Sequence, residues 1–243
     1  MTAGETGHPG GADPAERLMK TIEAVRQAVR RQNGEQKALG PKAERTRARL
    51  IEAAHEVFAE KDYLAASAAD IAERAGVSLG TFYQYFEDLN GIVIVLAGEQ
   101  VIEMLSQHVD EWDATAGRLG LRRMLIVFLR GYMANAAFYK LWDQVTAVAP
   151  GVAEIRRRFW TAYKHQIAAS LSAGIAAGTV RSDLNPAEVA RALTHMTERY
   201  CYDVFIFDPP RSPVAAEDAA DLLTTLWADA IGLVEPSARW LGR

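Results

Sequence analysis

An all-α fold is predicted by three observations. Apolar residues recur at spacings of three and four along most of the 243-residue chain. The body after residue 91 holds no strand-length run of alternating apolar and polar residues, no internal repeat and no low-complexity tract. The breaks between periodic stretches carry helix caps and stops, at Ser67, Gly76, Ser78, Gly178, Asn185 and Pro186. The same reading divides the chain into an N-terminal extension over residues 1–40, a three-helix unit over 41–91 and a helical body over 92–243.

Residues 1–13 are rich in Gly and Pro and are expected to be disordered. Residues 14–32 read as a helix, because Leu18, Ile22, Val25 and Val29 form one narrow apolar stripe. That stripe needs a host: the three-helix unit, a partner subunit, or nothing until a ligand arrives. Asn33 and Gly34 end this helix, and Gly40-Pro41 marks the next boundary. Residues 42–61 form an amphipathic helix with Leu50, Ile51, Ala54, Val57 and Phe58 on one face. A short helix follows the Ser67 cap, carrying Ile71, Ala72 and Ala75, and Gly76 stops it. Ser78 caps a second short helix that presents Thr81, Tyr83, Gln84 and Tyr85 outward, while Val77, Phe82 and Phe86 look inward. Two short helices across a Gly turn make a helix-turn-helix. Its predicted core is Ile51, Phe58, Ile71, Val77, Phe82 and Phe86, too small to stand without the body behind it.

In the body, helices are predicted over 92–112, 119–137, 138–149 and 152–177. Asn185 caps the next, with Pro186 at its first position, and it runs to about residue 207. The stretch 208–213 stops it, and a last helix spans 214–234. On the penultimate helix Val189, Leu193, Met196, Tyr200, Val204 and Phe207 form a stripe, with Tyr202, Phe205 and Ile206 outside it. On the last, Leu222, Leu223, Leu226, Trp227, Ala230, Ile231 and Leu233 exceed one core face. A helix apolar on two sides is buried on two sides.

Charge is unevenly placed. Residues 14–49 hold ten Lys/Arg against four Glu, a local +6 in a chain of net −4, so the remainder carries −10. A basic arm ahead of a helix-turn-helix fits a chain that sets one end on a polyanion. The single Cys201 allows no disulfide framework and is expected to pack in the core. No charged-then-apolar leader opens the chain, and the apolar runs 92–105 and 119–139 are too short or too charged to cross about 30 Å of hydrocarbon. A soluble, cytoplasmic protein with no membrane partner is the expectation.

Residues 49–92 resemble the DNA-binding domain of the TetR family of transcriptional regulators. The likeness lies in Ile71-Ala72, in Ala75-Gly76-Val77-Ser78, and in Gly80-Thr81-Phe82-Tyr83 followed by Tyr85-Phe86. Three positions depart from the family pattern: Asp62 in place of a Gly, Ala66 and Ala68 where Thr and Val are common, and Leu89 in place of a Lys that holds phosphate. At Asp62 a left-handed turn is expected, tolerable for Asp. A helix of this kind reads base edges in the major groove, and the residue types suit it. Gln84 can pair bidentately with adenine, Thr81 offers a hydroxyl and a methyl, Leu79 can meet a thymine methyl, and Gly80 permits close backbone approach. The resemblance implies phosphate contacts from Arg45, Arg47, Ser67, Ser78, Tyr83 and Tyr85.

The resemblance also implies a homodimer built from the last two helices, with Val189, Leu193, Tyr202, Ile206, Leu222, Leu226 and Ala230 at the interface. A two-fold dimer would place its recognition helices about 34–36 Å apart on double-stranded DNA, on a palindromic operator. The family's usual control is release from DNA by a small molecule, here a hydrophobic effector. Trp112, Phe128, Tyr132, Trp142, Phe159, Trp160, Tyr163, Met196 and Tyr200 are the candidate lining; core packing explains many of them equally well. Two alternatives stand beside the ligand-released repressor. One is a DNA-binding protein without a sensor. The other is a metal-binding helical enzyme resting on His195, Glu198 and Cys201, opposed by the absence of a second ligand-bearing helix, a phosphate loop or a nucleophile elbow. The expectation is therefore no enzyme, no cofactor and no metal.

Overall fold

The computed structural model describes residues 14–32, 40–107, 112–208 and 214–235. The expectations for residues 1–13, Asn33-Gly34 and 209–213, and the side chain of Leu18, lie outside them. The described residues form ten α-helices and no strand: α1 (Pro14–Gln32), α2 (Pro41–Glu60), α3 (Ala68–Arg74), α4 (Leu79–Tyr85), α5 (Leu89–Gln107), α6 (Gly117–Ala134), α7 (Ala136–Thr146), α8 (Pro150–Ala177), α9 (Pro186–Tyr202) and α10 (Ala216–Ile231). Asn185 caps α9 by accepting from the N–H groups of Ala187 and Glu188, with Pro186 at the first position. Helix α5 starts three residues earlier than predicted, because the Asp88 carboxylate accepts from the Gly91 N–H at 2.9 Å. Helix α10 stops three residues earlier, at Gly232, whose φ of +57° suits glycine, and Leu233 N–H closes the end onto Ala228 O at 2.8 Å.

Helices α2, α3 and α4 form the N-terminal unit. Leu50, Ile71 and Phe82 are fully buried in its core, with Phe58 and Phe86 beside them. Ile51 and Val77, expected at the centre, are only half-buried at its margin; Leu50 takes the central place. Asp62 is extended, with φ −64°, not left-handed as expected. No glycine is required there, and the side chain has a task of its own: its carboxylate meets Lys140 Nζ at 2.7 Å and accepts from Gln144 Nε2 at 3.3 Å, both on α7. The Lys140 bond first, and then Gln144, hold the Asp62 carboxyl below the usual carboxylate range.

In the body, α6 packs on α10 and α8 on α9. The inner face of α9 is Ala190, Leu193, Thr194, Thr197 and Cys201, all buried. These small side chains let α9 lie close to its neighbours, and Trp227 Nε1 of α10 donates to Thr197 Oγ1 at 2.9 Å across the gap. The stripe read from the sequence is therefore rotated: Met196 is 37 % exposed and Phe207 70 %. Beyond Tyr202 the backbone widens into one π-type turn over Asp203–Phe207, which breaks the 3.6-residue phase.

The apolar stripe of α1 finds a host that the sequence reading did not weigh, namely its own body. Ile22 and Val25 are buried and Val29 half-buried, with α1 seated on α5 and α8. The seat depends on Gly98 of α5, where a Cβ would stand 2.3 Å from Val29 Cγ2. Val29 is stiff at χ1 and cannot easily turn away. Gly98→Ala is expected to weaken the seating of α1 by about 1–3 kcal/mol, read as faster hydrogen exchange or proteolysis within residues 14–32. Gly40→Ala, where an added Cβ meets nothing within 4 Å, should leave both unchanged.

Candidate nucleic-acid interface and aromatic cavity

Helix α3 begins in a capping box. Ser67 Oγ accepts from Asp70 N–H at 3.2 Å, and the Asp70 carboxylate accepts from Ser67 N–H at 2.9 Å. Asp70 also receives the Ser67 hydroxyl proton at 2.7 Å and pairs with Lys61 Nζ at 2.7 Å. The Lys61 bond, with those from Ser67, lowers the Asp70 carboxyl to about 2. In this arrangement the Ser67 proton is committed to Asp70, so a phosphate would have to take it over. Arg74 at the other end of α3 reaches back to α2, to Glu56 at 3.0 Å and Glu60 at 2.6 Å.

The turn between α3 and α4 is held from outside as well as within. Gly76 has φ +63°, and Val77 N–H closes α3 onto Ala72 O at 2.9 Å. Arg49 of α2 donates to the carbonyls of Ala75 and Gly76, and a Cβ at Gly76 would lie 3.1 Å from its Nη2. The sequence reading counted Arg49 only as positive charge; here it positions the turn ahead of the recognition helix. Its contact spans 26 residues, which no local pattern signals.

Helix α4 presents the predicted reading surface. Ser78 caps it by accepting from Thr81 N–H at 3.1 Å, and the two hydroxyls share a bond at 2.9 Å. Leu79 and Tyr83 are 42 % and 54 % exposed, Gly80 and Gln84 are exposed, and Thr81 and Tyr85 half-buried. Within the protein only Ser78 Oγ, at 3.8 Å, approaches a Cβ placed on Gly80, so that face is open to an outside surface. Arg45 is exposed on α2. Arg47 is half-buried, with its guanidinium 5.7 Å from the centre of the Phe86 ring, and borders a cleft of about 370 Å³ between α2 and α5 that also touches Glu44, His55 and Glu99. Leu89, standing where the family Lys would be, is half-buried against the core.

Six of the nine aromatic and Met positions proposed to line a body cavity do come together: Phe128 and Tyr132 of α6, Trp142 of α7, and Phe159, Trp160 and Tyr163 of α8. Three do not. Trp112 is buried under α10, edge-on to Trp227 at 6.2 Å. Met196 lies on the outer face of α9, and Tyr200, half-buried, is not among the cavity walls. The sequence reading missed Tyr139, which stacks on Tyr132 with centroids 3.8 Å apart. Its spacing of three from Trp142 on one helix face was the available signal.

Of those six, Tyr132, Trp142 and Trp160 border a cavity of only about 10 Å³, room for roughly one water, while Phe128, Phe159 and Tyr163 pack beside them without lining it. Tyr132, Tyr139, Trp142 and Trp160 wall one side of it. Polar groups from distant segments complete the lining: Arg156 of α8 lies 3.3 Å from Asp143 and 3.6 Å from Glu198 of α9. Tyr202, expected at a dimer interface, borders the cavity and donates to Asp143 Oδ2 at 3.1 Å. Burial raises the Glu198 carboxyl. Tyr132 Oη and Trp142 Nε1 are buried with no hydrogen-bond partner, at a cost of about 1–3 kcal/mol each.

Of the other proposed interface residues, Leu193 is buried within the protomer, Val189 and Ile206 are half-buried, and Leu222, Leu226 and Ala230 are exposed. Among the described residues no three His, Cys, Asp or Glu side chains are placed to hold a metal. His195 is exposed, Glu198 faces Arg156 and Cys201 is buried. No described helix is long and apolar enough to cross a membrane.

A helix-turn-helix with an exposed polar recognition helix, mounted on an all-helical body, defines a DNA-binding transcriptional regulator. Residues 50–94 match the family described as bacterial regulatory proteins, tetR family. The HTH-type transcriptional regulator EthR of Mycobacterium tuberculosis is 28 % identical over 188 residues, covering 75 % of this chain and 85 % of that protein. The fatty acid metabolism regulator protein of Bacillus subtilis is 37 % identical over 75 residues, 30 % of this chain and 39 % of that one. Among solved structures, Salmonella enterica GusR superposes with a TM-score of 0.61 at 21 % identity, over 81 % of this chain and all of that one. The SmeT–triclosan complex gives 0.59 at 15 % identity, over 76 % and 90 %. Over residues 50–94 the chain thus matches the tetR family of bacterial regulatory proteins, and along three quarters of its length it is similar to a transcriptional regulator.

Gln84→Ala is expected to cost about 1–3 kcal/mol on a preferred DNA sequence and almost nothing on random duplex. Arg45→Ala should weaken both alike and reduce the salt slope by about one. Titrations of fluorescent duplexes at several salt concentrations check both; equal losses for Gln84→Ala on the two DNAs would remove its reading role.

Proposed function

We propose that this protein is a cytoplasmic, homodimeric repressor that binds a palindromic operator and is released from it by a small molecule bound in the body. The observation that carries the reading is the pairing of two surfaces: the exposed face of α4 and an apolar outer face on α9 and α10. On that outer face Met196, Leu222 and Leu226 are each more than a third exposed. Large apolar side chains at neighbouring turns of two adjacent helices suit a self-complementary four-helix contact. Ala230 continues it, with Val189 and Ile206 at its edge.

Release follows by linkage. A ligand that binds the DNA-incompetent arrangement more tightly weakens DNA binding, and DNA weakens ligand binding by the same factor. Helix α7 is the element that joins the two events. One side carries Tyr139, Trp142 and Asp143 at the cavity. The other side carries Lys140 and Gln144, which hold Asp62 and the Tyr63 N–H, the latter at 3.3 Å. A ligand that opens the cluster moves α7 and with it the turn ahead of α3. The small volume of the cavity favours one competing reading, a DNA-binding regulator without a sensor.

Leu222→Glu combined with Leu226→Glu is expected to yield a helical monomer in sedimentation and to lose tight binding to the intergenic DNA beside its own gene. A dimer that persists would displace the interface from α9 and α10. Asp62→Ala and Lys140→Ala should each reduce, several-fold, the effect of a bound effector on DNA affinity, with effector affinity in the absence of DNA little changed. The double variant should lose no more than either single one; full coupling in all three would rule out this link.

A further inference from the structure

The cavity between α6, α7, α8 and α9 has a chemistry that a plain hydrocarbon does not match. On one wall two buried donors, Tyr132 Oη and Trp142 Nε1, have no partner. An indole N–H only donates, so it calls for an acceptor. Among the polar residues of the lining, Glu198 lies 3.6 Å from the Arg156 guanidinium, beyond hydrogen-bond reach, while Asp143 accepts from Arg156 at 3.3 Å and from Tyr202 at 3.1 Å. Asp143 and Glu198 against Arg156 leave the lining with one negative charge in excess, so an anionic head would meet a third negative group. Tyr132 and Tyr139, stacked on each other at 3.8 Å and 11°, add flat apolar surface to the lining. Trp160 and Tyr202 are half-buried at the margin, and a ring would enter by displacing them.

We infer that the body site takes an uncharged planar aromatic molecule with an acceptor oxygen directed at Tyr132 and Trp142 and a donor directed at Glu198 and Asp143. This rests on the ligand-responsive reading above and sharpens it, excluding both a bare hydrocarbon and a carboxylate-headed acyl chain as the preferred class. The acceptor satisfies donors that no other described residue reaches, and the donor relieves the carboxylate excess.

Three single-ring probes of similar size separate the possibilities: benzamide, with acceptor and donor; benzoate, its anionic counterpart; and toluene, with neither. Calorimetric titration of the full chain is expected to give benzamide at least tenfold tighter binding than the other two. In Tyr132→Phe that preference should fall below threefold, while the thermal midpoint stays equal or rises because a buried unpaired hydroxyl has gone. Trp142→Phe serves as the second variant and should lower the preference in the same way. Benzoate or toluene binding as tightly as benzamide, no binding by any of the three, or a preference that survives both substitutions would overturn the inference. Operator affinity, measured separately, keeps the two readings apart. A benzamide preference without any change in DNA affinity leaves this site standing and sinks the sensor; DNA release by toluene or benzoate alone keeps the sensor and sinks this site.

Discussion

Two helices of seven residues each, α3 and α4, cannot hold their shape alone in water, since helix nucleation is unfavourable and two turns repay little of it. Their geometry is imposed by what they bury and by what pins their ends. Ile71 and Phe82 are fully buried beneath α2, and the caps at Ser67 and Ser78 satisfy the first free N–H groups. Arg74 and Arg49 then tie the C-terminal end of α3 back to α2. The exposed ion pairs of Arg74 are worth little energy singly. Their effect is to leave the short helices one orientation, so that Thr81, Tyr83 and Gln84 project from a fixed platform.

Much of this head was legible in the sequence because its determinants are local. Ser67 and Asp70 are three residues apart, Ser78 and Thr81 likewise, and Gly76 announces a left-handed turn by its identity alone. The body was legible as helices but less so as a site. Asp143, Arg156 and Glu198 meet across 13 and 42 residues, and Asp62 meets Lys140 across 78; no periodicity carries such pairings. Trp112 looked like its fellow tryptophans and was placed apart by α10. On α9 a stripe of large residues drew the eye to Val189, Met196 and Tyr200. The buried face is the one with small residues, because close helix approach selects size as well as polarity.

Well-packed cores rarely leave buried donors unpaired. Tyr132 and Trp142 break that rule together, in the one place where aromatic faces and unevenly paired charges also converge. Trp112 Nε1, Thr194 Oγ1 and Thr224 Oγ1 are unpaired as well, each apart from the aromatic cavity, whereas Trp227 finds Thr197 and Thr179 Oγ1 finds Ala114 O at 3.1 Å. What sets Tyr132 and Trp142 apart is that both border the same cavity.

The seating of α1 has a mechanical consequence. Val29 is wedged at Gly98, and eight residues separate Gln32 from Pro41, where the reading head begins. Fully extended, such a connection reaches about 30 Å. The head is thus moored to the body twice, once rigidly through α5 and once by this short leash. Any tilt about the first mooring would be bounded by the contour length of the second, which caps the arc open to the recognition helix.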